Sequence, residues 1–173
     1  MDNFIPDMYQ KSIYHIDYDK LKEDGIKCIL FDLDNTCVPY KDKEPNKKLI
    51  DLFETLKDMD FRVIIFSNAT KKRILPFKNA LRVDCSANSR KPNTKKLIKI
   101  MRLFKYDLSD VVIIGDQLYT DILCGNRVGI KTVLVNPMSK DDMFWTKFMR
   151  FREKAMFKKF AKKGILKKGK YYE

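Results

Sequence analysis

Histidine is nearly missing from this chain, His15 being the one copy in 173 residues. The four cysteines, Cys28, Cys37, Cys85 and Cys124, include no Cys-x-x-Cys spacing, so the two residue types do not combine into a zinc site. The cysteines read as reduced packing residues, and His15 as an ordinary surface or packing side chain rather than a catalyst. Long apolar runs are absent too. Nothing approaches the ~18 consecutive apolar residues of a membrane span. The first residues, with Asp2 and Asp7 and no long apolar core, do not have the form of a signal peptide, so a cytoplasmic chain is the expectation. A chain of this length is most simply one domain that buries roughly 70% of its unfolded surface, and it needs no disulfide or metal staple to fold.

Negative charge is scarce in one region. The chain has 36 basic and 23 acidic residues, a net +13. From Ser139 onward twelve basic residues meet only four acidic ones, so most of the surplus belongs to the tail. Such a tail suits an anionic partner.

Chemistry is concentrated in Cys28-Ile29-Leu30-Phe31-Asp32-Leu33-Asp34-Asn35-Thr36, where a short apolar run ends in two carboxylates two residues apart. An apolar run of this length between Gly25 and Pro39 is the mark of a strand covered on both faces, as in a parallel sheet. The carboxyl edge of such a sheet is where ligands bind. Two carboxylates this close repel, and a divalent cation or a basic neighbour relieves them. Oxygen ligands without histidine favour magnesium. A solvated Asp-rich turn is the alternative on these residues alone. An EF-hand fits worse, because the sixth loop position counted from Asp32 is Cys37 where glycine is required.

Three further strand ends carry polar residues. Arg62-Val63-Ile64-Ile65-Phe66 ends in Ser67-Asn68-Ala69-Thr70, a phosphate cradle or simply a helix cap. Val83-Asp84-Cys85 leads to Lys91-Pro92 at the start of another helix. Val111-Val112-Ile113-Ile114 ends in Gly115-Asp116, with Asp121 one turn into the next helix. Lys131 to Val135 makes a fifth strand, and five strands alternating with helices give a doubly wound α/β fold. Asn46 is expected to cap a helix bearing Leu49, Ile50, Phe53 and Leu56, and Asp17 to open a short helix closing at Gly25.

Asp-x-Asp-Asn-Thr, Ser-Asn, Lys-Pro and Gly-Asp-x-x-x-x-Asp, in that order, resemble the haloacid dehalogenase (HAD) superfamily of phosphatases. Ile26 to Pro39, Gly115 to Asp121 with Gly125-Asn126-Arg127, and Pro6-Asp7-Met8-Tyr9 to Ile13-Tyr14 look like the YqeG subfamily of subclass IIIA, which is related to phosphatidylglycerophosphate phosphatases. The resemblance implies a HAD-type Rossmann-like core. It makes Asp32 the nucleophile and Asp34 the general acid and base. Magnesium would be held by Asp32, Asp116 and the backbone carbonyl of Asp34. Ser67, Asn68 and Lys91 would bind the substrate phosphate, with Thr36 and Asp121 in support. An acid at position 34 argues for phosphate ester hydrolysis. Tyr40 and Ala69 depart mildly from the subfamily pattern, where tryptophan and asparagine are expected. One helix separates the first two motifs and only a few residues lie between Cys85 and Lys91, so the site is expected to be capless and open.

The expected organisation is an amino-terminal segment over 1–27 packing on the core, a HAD-like core over 28–138, and a basic amphipathic helix with a frayed end over 139–173. In the helix from Met143 to Lys163, Phe144, Phe148, Phe151 and Ala155 form one strip and Trp145, Met149, Met156 and Phe160 a second. Lys147, Arg150, Lys154, Lys158 and Lys162 lie opposite. Such a helix either rests on an anionic membrane surface or packs one strip on the sheet. Three functions remain open on the sequence: a magnesium-dependent phosphatase acting on a lipid phosphate at the membrane, the same chemistry on a nucleic-acid end, or a nucleic-acid or ribosome-binding module with a vestigial site.

Overall fold

The structure, a computed structural model, describes residues 2–139 and 144–173, with side chains described for 3–139 and 152–173. The elements in chain order are β1 (Met8–Gln10), α1 (Tyr18–Glu23), β2 (Cys28–Phe31), α2 (Lys47–Asp58), β3 (Arg62–Phe66), α3 (Lys71–Leu81), β4 (Asp84–Ser86), α4 (Lys95–Phe104), β5 (Val111–Gly115), α5 (Leu123–Val128), β6 (Lys131–Val135) and α6 (Phe144–Lys162). The six strands form one sheet in the order β1-β6-β5-β2-β3-β4, and every pairing in it is parallel.

The five expected strands form, and a sixth joins them. β1 lies in the amino-terminal segment, whose expected role was only to cover the core. It pairs with β6 at the sheet edge, Met8 opposite Val133 and Gln10 opposite Val135. The rest of that segment does cover the core, since Ile13, Tyr18 and Leu21 are buried beside Ile29. β4, expected from Val83, starts one residue later, at Asp84.

Alternation along the strands explains their unbroken apolar runs. Ile29, Phe31, Val63 and Ile65 face α1, α2 and α3, while Cys28, Leu30, Ile64 and Phe66 face α4 and α5. A strand covered on both sides has no solvent-facing position left for a polar residue. Full burial of each such side chain contributes about 1.5–3 kcal/mol. The helices start where side chains relieve free backbone N–H groups. The Leu49 N–H donates to Asn46 Oδ1 at 2.9 Å, and the Arg73 N–H to the Thr70 hydroxyl at 3.3 Å. All four cysteines are unpaired, and burial pushes the Cys28 thiol up to about 12, consistent with an inert packing residue.

The carboxyl-terminal run is tied down rather than frayed. The Tyr9 and Tyr172 backbones exchange N–H···O bonds of 2.9 Å, Leu166 is buried, and Lys20 pairs with Glu173 at 3.3 Å. The open edge of β1 supplies the unmet hydrogen-bonding groups that hold it. The second half of α6 packs on the sheet: Phe160 is buried with Tyr9, Leu118, Ile122 and Leu134, and Met156 and Phe157 lean on the same cluster. Met143 and the side chains of Phe144, Trp145, Lys147, Phe148, Met149, Arg150 and Phe151 lie outside the described residues. Among the described residues no helix is long and apolar enough to cross a membrane.

Candidate active site

β2 lies between β5 and β3. The chain runs outward from β2 through β3 to β4, then returns to fill the other side with β5 and β6. The crevice where the direction reverses opens at the carboxyl ends of the strands, the usual ligand position in doubly wound sheets. Asp32 follows β2, Ser67 follows β3, Asp116 follows β5, and Lys91 enters from the loop after β4. Sheet topology therefore brings residues spread from position 32 to position 116 to one edge.

Lys91 ties these ends together. Its Nζ donates to Asp32 Oδ1 at 2.7 Å, to Asp121 Oδ1 at 2.6 Å and to the Phe66 carbonyl at 2.8 Å. Burial alone would pull the ammonium down, but Asp121 and Asp32 more than reverse this, and its pKa is raised. Lys91 is therefore a fixed positive charge inside the site. Its backbone is held as well: the Lys91 N–H donates to Asn68 Oδ1 at 2.7 Å and the Asn68 amide donates to the Lys91 carbonyl at 3.1 Å. Asn68, expected at the phosphate, thus spends both ends of its side chain placing Lys91. The Ser67 hydroxyl is buried and accepts from the Ala69 N–H at 3.2 Å.

Oxygens of Asp32, Asp116 and Asp121 lie within 4.8 Å of one another. Three carboxylates against one lysine leave an excess of negative charge, and a hard divalent cation is the ion such an all-oxygen set fits. Asp121 comes closer to this cluster than its expected supporting role required. The approach depends on Gly115, where a Cβ would stand 2.3 Å from Asp121 Oδ2. The Thr36 hydroxyl donates to Asp116 Oδ1 at 3.1 Å, supporting that carboxylate.

The Asp34 side chain stands apart from the acid cluster. Arg73 Nη2 and Nε donate to its Oδ1 at 2.7 and 3.0 Å, and Arg73 Nη1 donates to the Asp42 carbonyl. Burial raises the Asp34 pKa, with the Arg73 hydrogen bond and charge acting against it, and the net direction is up. Only the Asp34 backbone carbonyl remains for the metal position expected of this residue.

Two residues escaped the sequence reading. Arg73 is one of 36 basic residues, and no motif in the sequence sets it apart from the others. Glu153 is buried, and the Leu118 N–H donates to its Oε1 at 2.6 Å. It thereby holds the wide turn over Leu118–Ile122 that carries Asp121. Glu153 is the sole acid in the sequence of α6, a signal that charge counting alone passes over.

The HAD-hydrolase-like family profile matches residues 88–139. The chain is 38% identical over 161 residues to the protein named "Probable phosphatase YqeG" of Bacillus subtilis (strain 168), covering 93% of this chain and 94% of that one. It is 28% identical over 175 residues to phosphatidylglycerophosphate phosphatase 1, chloroplastic/mitochondrial, of Arabidopsis thaliana, covering 93% of this chain and 49% of that longer protein. Among solved structures it resembles the cobalt-bound form of deoxy-D-mannose-octulosonate 8-phosphate phosphatase from Haemophilus influenzae, with a TM-score of 0.52 and 14% identity over 67% of this chain and 81% of the other. Fold, motif order and relatives together define a HAD-type phosphatase, a phosphoric monoester hydrolase. The chain belongs to the HAD superfamily, within its YqeG branch.

Proposed function

We propose that the protein is a magnesium-dependent phosphatase that works through an aspartyl-phosphate and converts phosphatidylglycerophosphate to phosphatidylglycerol at a membrane surface. The observation that carries the chemistry is the Asp32 carboxylate, held at 2.7 Å by Lys91 inside a cluster with Asp116 and Asp121. Asp32 attacks phosphorus as the bond to the leaving oxygen breaks, and Asp34 protonates that oxygen. Asp34 then takes a proton from the water that attacks the aspartyl-phosphate, restoring Asp32 and releasing inorganic phosphate. The Ser67 hydroxyl binds the transferring phosphoryl oxygens, the Lys91 charge beside Asp32 offsets theirs, and Asn68 keeps Lys91 in place. Magnesium, held by Asp32, Asp116 and the Asp34 carbonyl with Asp121 close by, would supply charge neutralisation for the phosphoryl group. The lipid substrate is supported by the likeness to the Arabidopsis enzyme. It is also supported by the short stretch between Ser86 and Lys91, which leaves no room for a capping domain.

The test is phosphate release with magnesium from phosphatidylglycerophosphate in mixed micelles, from a 3′-phosphorylated oligonucleotide and from p-nitrophenyl phosphate. The lipid is expected to be the preferred substrate, and Asp32→Asn to lower every rate by at least about 10³-fold while the protein stays folded. Turnover of the oligonucleotide in preference to the lipid would replace the substrate. Full turnover by Asp32→Asn would remove the mechanism.

A further inference from the structure

A groove of about 610 Å³ lies between the end of β6 and the second half of α6, and Asp116 of the acid cluster forms part of its wall. Its other walls are mainly apolar, with Leu134 and Pro137 on the sheet side and Ala155, Phe157 and Ala161 on the helix. Apart from the lysines at its margin, the polar side chains that reach it have partners within the chain. Tyr9 donates its hydroxyl proton to Asn136 Oδ1 at 2.6 Å, the Asn136 amide donates to the Tyr171 hydroxyl at 2.8 Å, and Glu153 accepts from the Leu118 N–H. A peptide or a nucleobase buried between these walls would leave its N–H donors without acceptors, since the lysines only donate, and this is costly on burial. A hydrocarbon chain would not.

Charge around the groove points the same way. Lys154, Lys158, Lys167 and Lys168 line it and are exposed, and none of them makes an ion pair among the described residues. Four cations around an apolar slot complement a molecule with an anionic head and an apolar body. The two alanines open the slot, because a larger side chain at either position would fill it.

We propose that this groove binds one acyl chain of the phospholipid whose phosphomonoester is presented to Asp32, with the surrounding lysines meeting its phosphodiester or the neighbouring anionic headgroups. The identity of that lipid rests on the phosphatidylglycerophosphate reading. The acyl site itself rests on the groove. It extends the enzyme's grip from the phosphate to the apolar part of the substrate, and it assigns the second half of α6 a part in specificity.

Ala155→Trp and Ala161→Trp fill the groove from exposed positions on α6. The readout is kcat/KM for dioctanoyl phosphatidylglycerophosphate below its micelle concentration, against the same headgroup without acyl chains and p-nitrophenyl phosphate. The wild type is expected to favour the acylated substrate by at least about ten-fold, the effect of burying two or so methylenes. Both variants should lose that preference while turnover of the two chain-free esters stays within about two-fold of wild type, as for uniform binding lost without loss of chemistry. A wild type with no preference, or variants that keep it, would overturn the groove. Calorimetric titration with dioctanoyl phosphatidylglycerol separates the groove from the substrate reading. If the wild type hydrolyses the aryl ester but neither glycerol ester, the substrate reading fails. The groove then stands only if the wild type binds this lipid and both tryptophan variants do not.

Discussion

Lys91 makes three hydrogen bonds with its ammonium, to Asp32, Asp121 and the Phe66 carbonyl, at a side-chain exposure of 1%. Each of its three protons meets an acceptor within the protein. Replacing it with methionine keeps the bulk and removes the charge, so two buried carboxylates face each other without a cation. Breaking a buried pair in this way costs about 3–5 kcal/mol. Lys91→Met is therefore expected to lower the urea midpoint strongly, and adding Asp121→Asn to recover part of the loss by removing one stranded charge. Denaturation of the single and double variants without added metal checks this; a midpoint unchanged in Lys91→Met would contradict the buried-pair account. Lys91 was legible in sequence because a lysine beside Pro92 fell third in an ordered set of motifs. Arg73 and Glu153 had no such setting. Their partners, Asp34 and Leu118, are 39 and 35 residues away, and only the folded chain shows that the contacts exist.

At the scale of elements, sequence periodicity identified α6 as amphipathic but did not say what its apolar strips meet. Lipid and protein reward the same pattern of side chains. The structure resolves the second half: Phe160 is buried against Tyr9, Leu118 and Leu134, so this part of α6 is domain core. Phe160→Ala leaves a cavity there and is expected to cost about 3–5 kcal/mol. Because Leu118 begins the turn that carries Asp121, loosening this cluster should also lower phosphatase activity. Chemical denaturation and p-nitrophenyl phosphate turnover read the two effects together, and a loss below about 1 kcal/mol would mean that α6 is not part of the core. β1 was hidden for a different reason. Three residues are too few to show a period, and it is held through backbone pairing with β6 and Tyr172 that its side chains do not announce. The four longer strands, β2, β3, β5 and β6, were readable because burial on both faces leaves a nearly unbroken apolar run.

For the molecule as a whole, the two ends of the sheet do different work. The carboxyl ends gather the site, whereas the amino ends are tied by ion pairs distant from it in chemistry. Lys27, just before β2, pairs with Asp110, just before β5, at 2.9 Å, and the Lys27 N–H donates to the Asp110 carbonyl at 2.8 Å. The Lys27 hydrogen bond, helped by the Asp107 backbone N–H, holds the Asp110 carboxyl below the usual carboxylate range. A depressed folded pKa means that the unfolded chain takes up this proton first as pH falls. The pair's contribution is therefore present above the unfolded value of about 4 and is lost as pH drops through the lower folded value. Asp24, whose pKa the hydrogen bond from Lys131 at 2.6 Å also lowers, adds to the same limb. Asp110→Asn is expected to lower Tm at pH 7 and to flatten the fall of Tm between about pH 5 and pH 3, since one of the protons taken up on unfolding is gone. Aryl phosphatase activity at pH 7 should be unchanged, because the pair lies at the opposite end of the strands from Asp32 and Asp116. Thermal melts of the two proteins across that range decide the matter: parallel curves would show that Asp110 does not couple folding to protons, and a loss of activity would show that strain at the amino ends of β2 and β5 reaches the acids at their carboxyl ends.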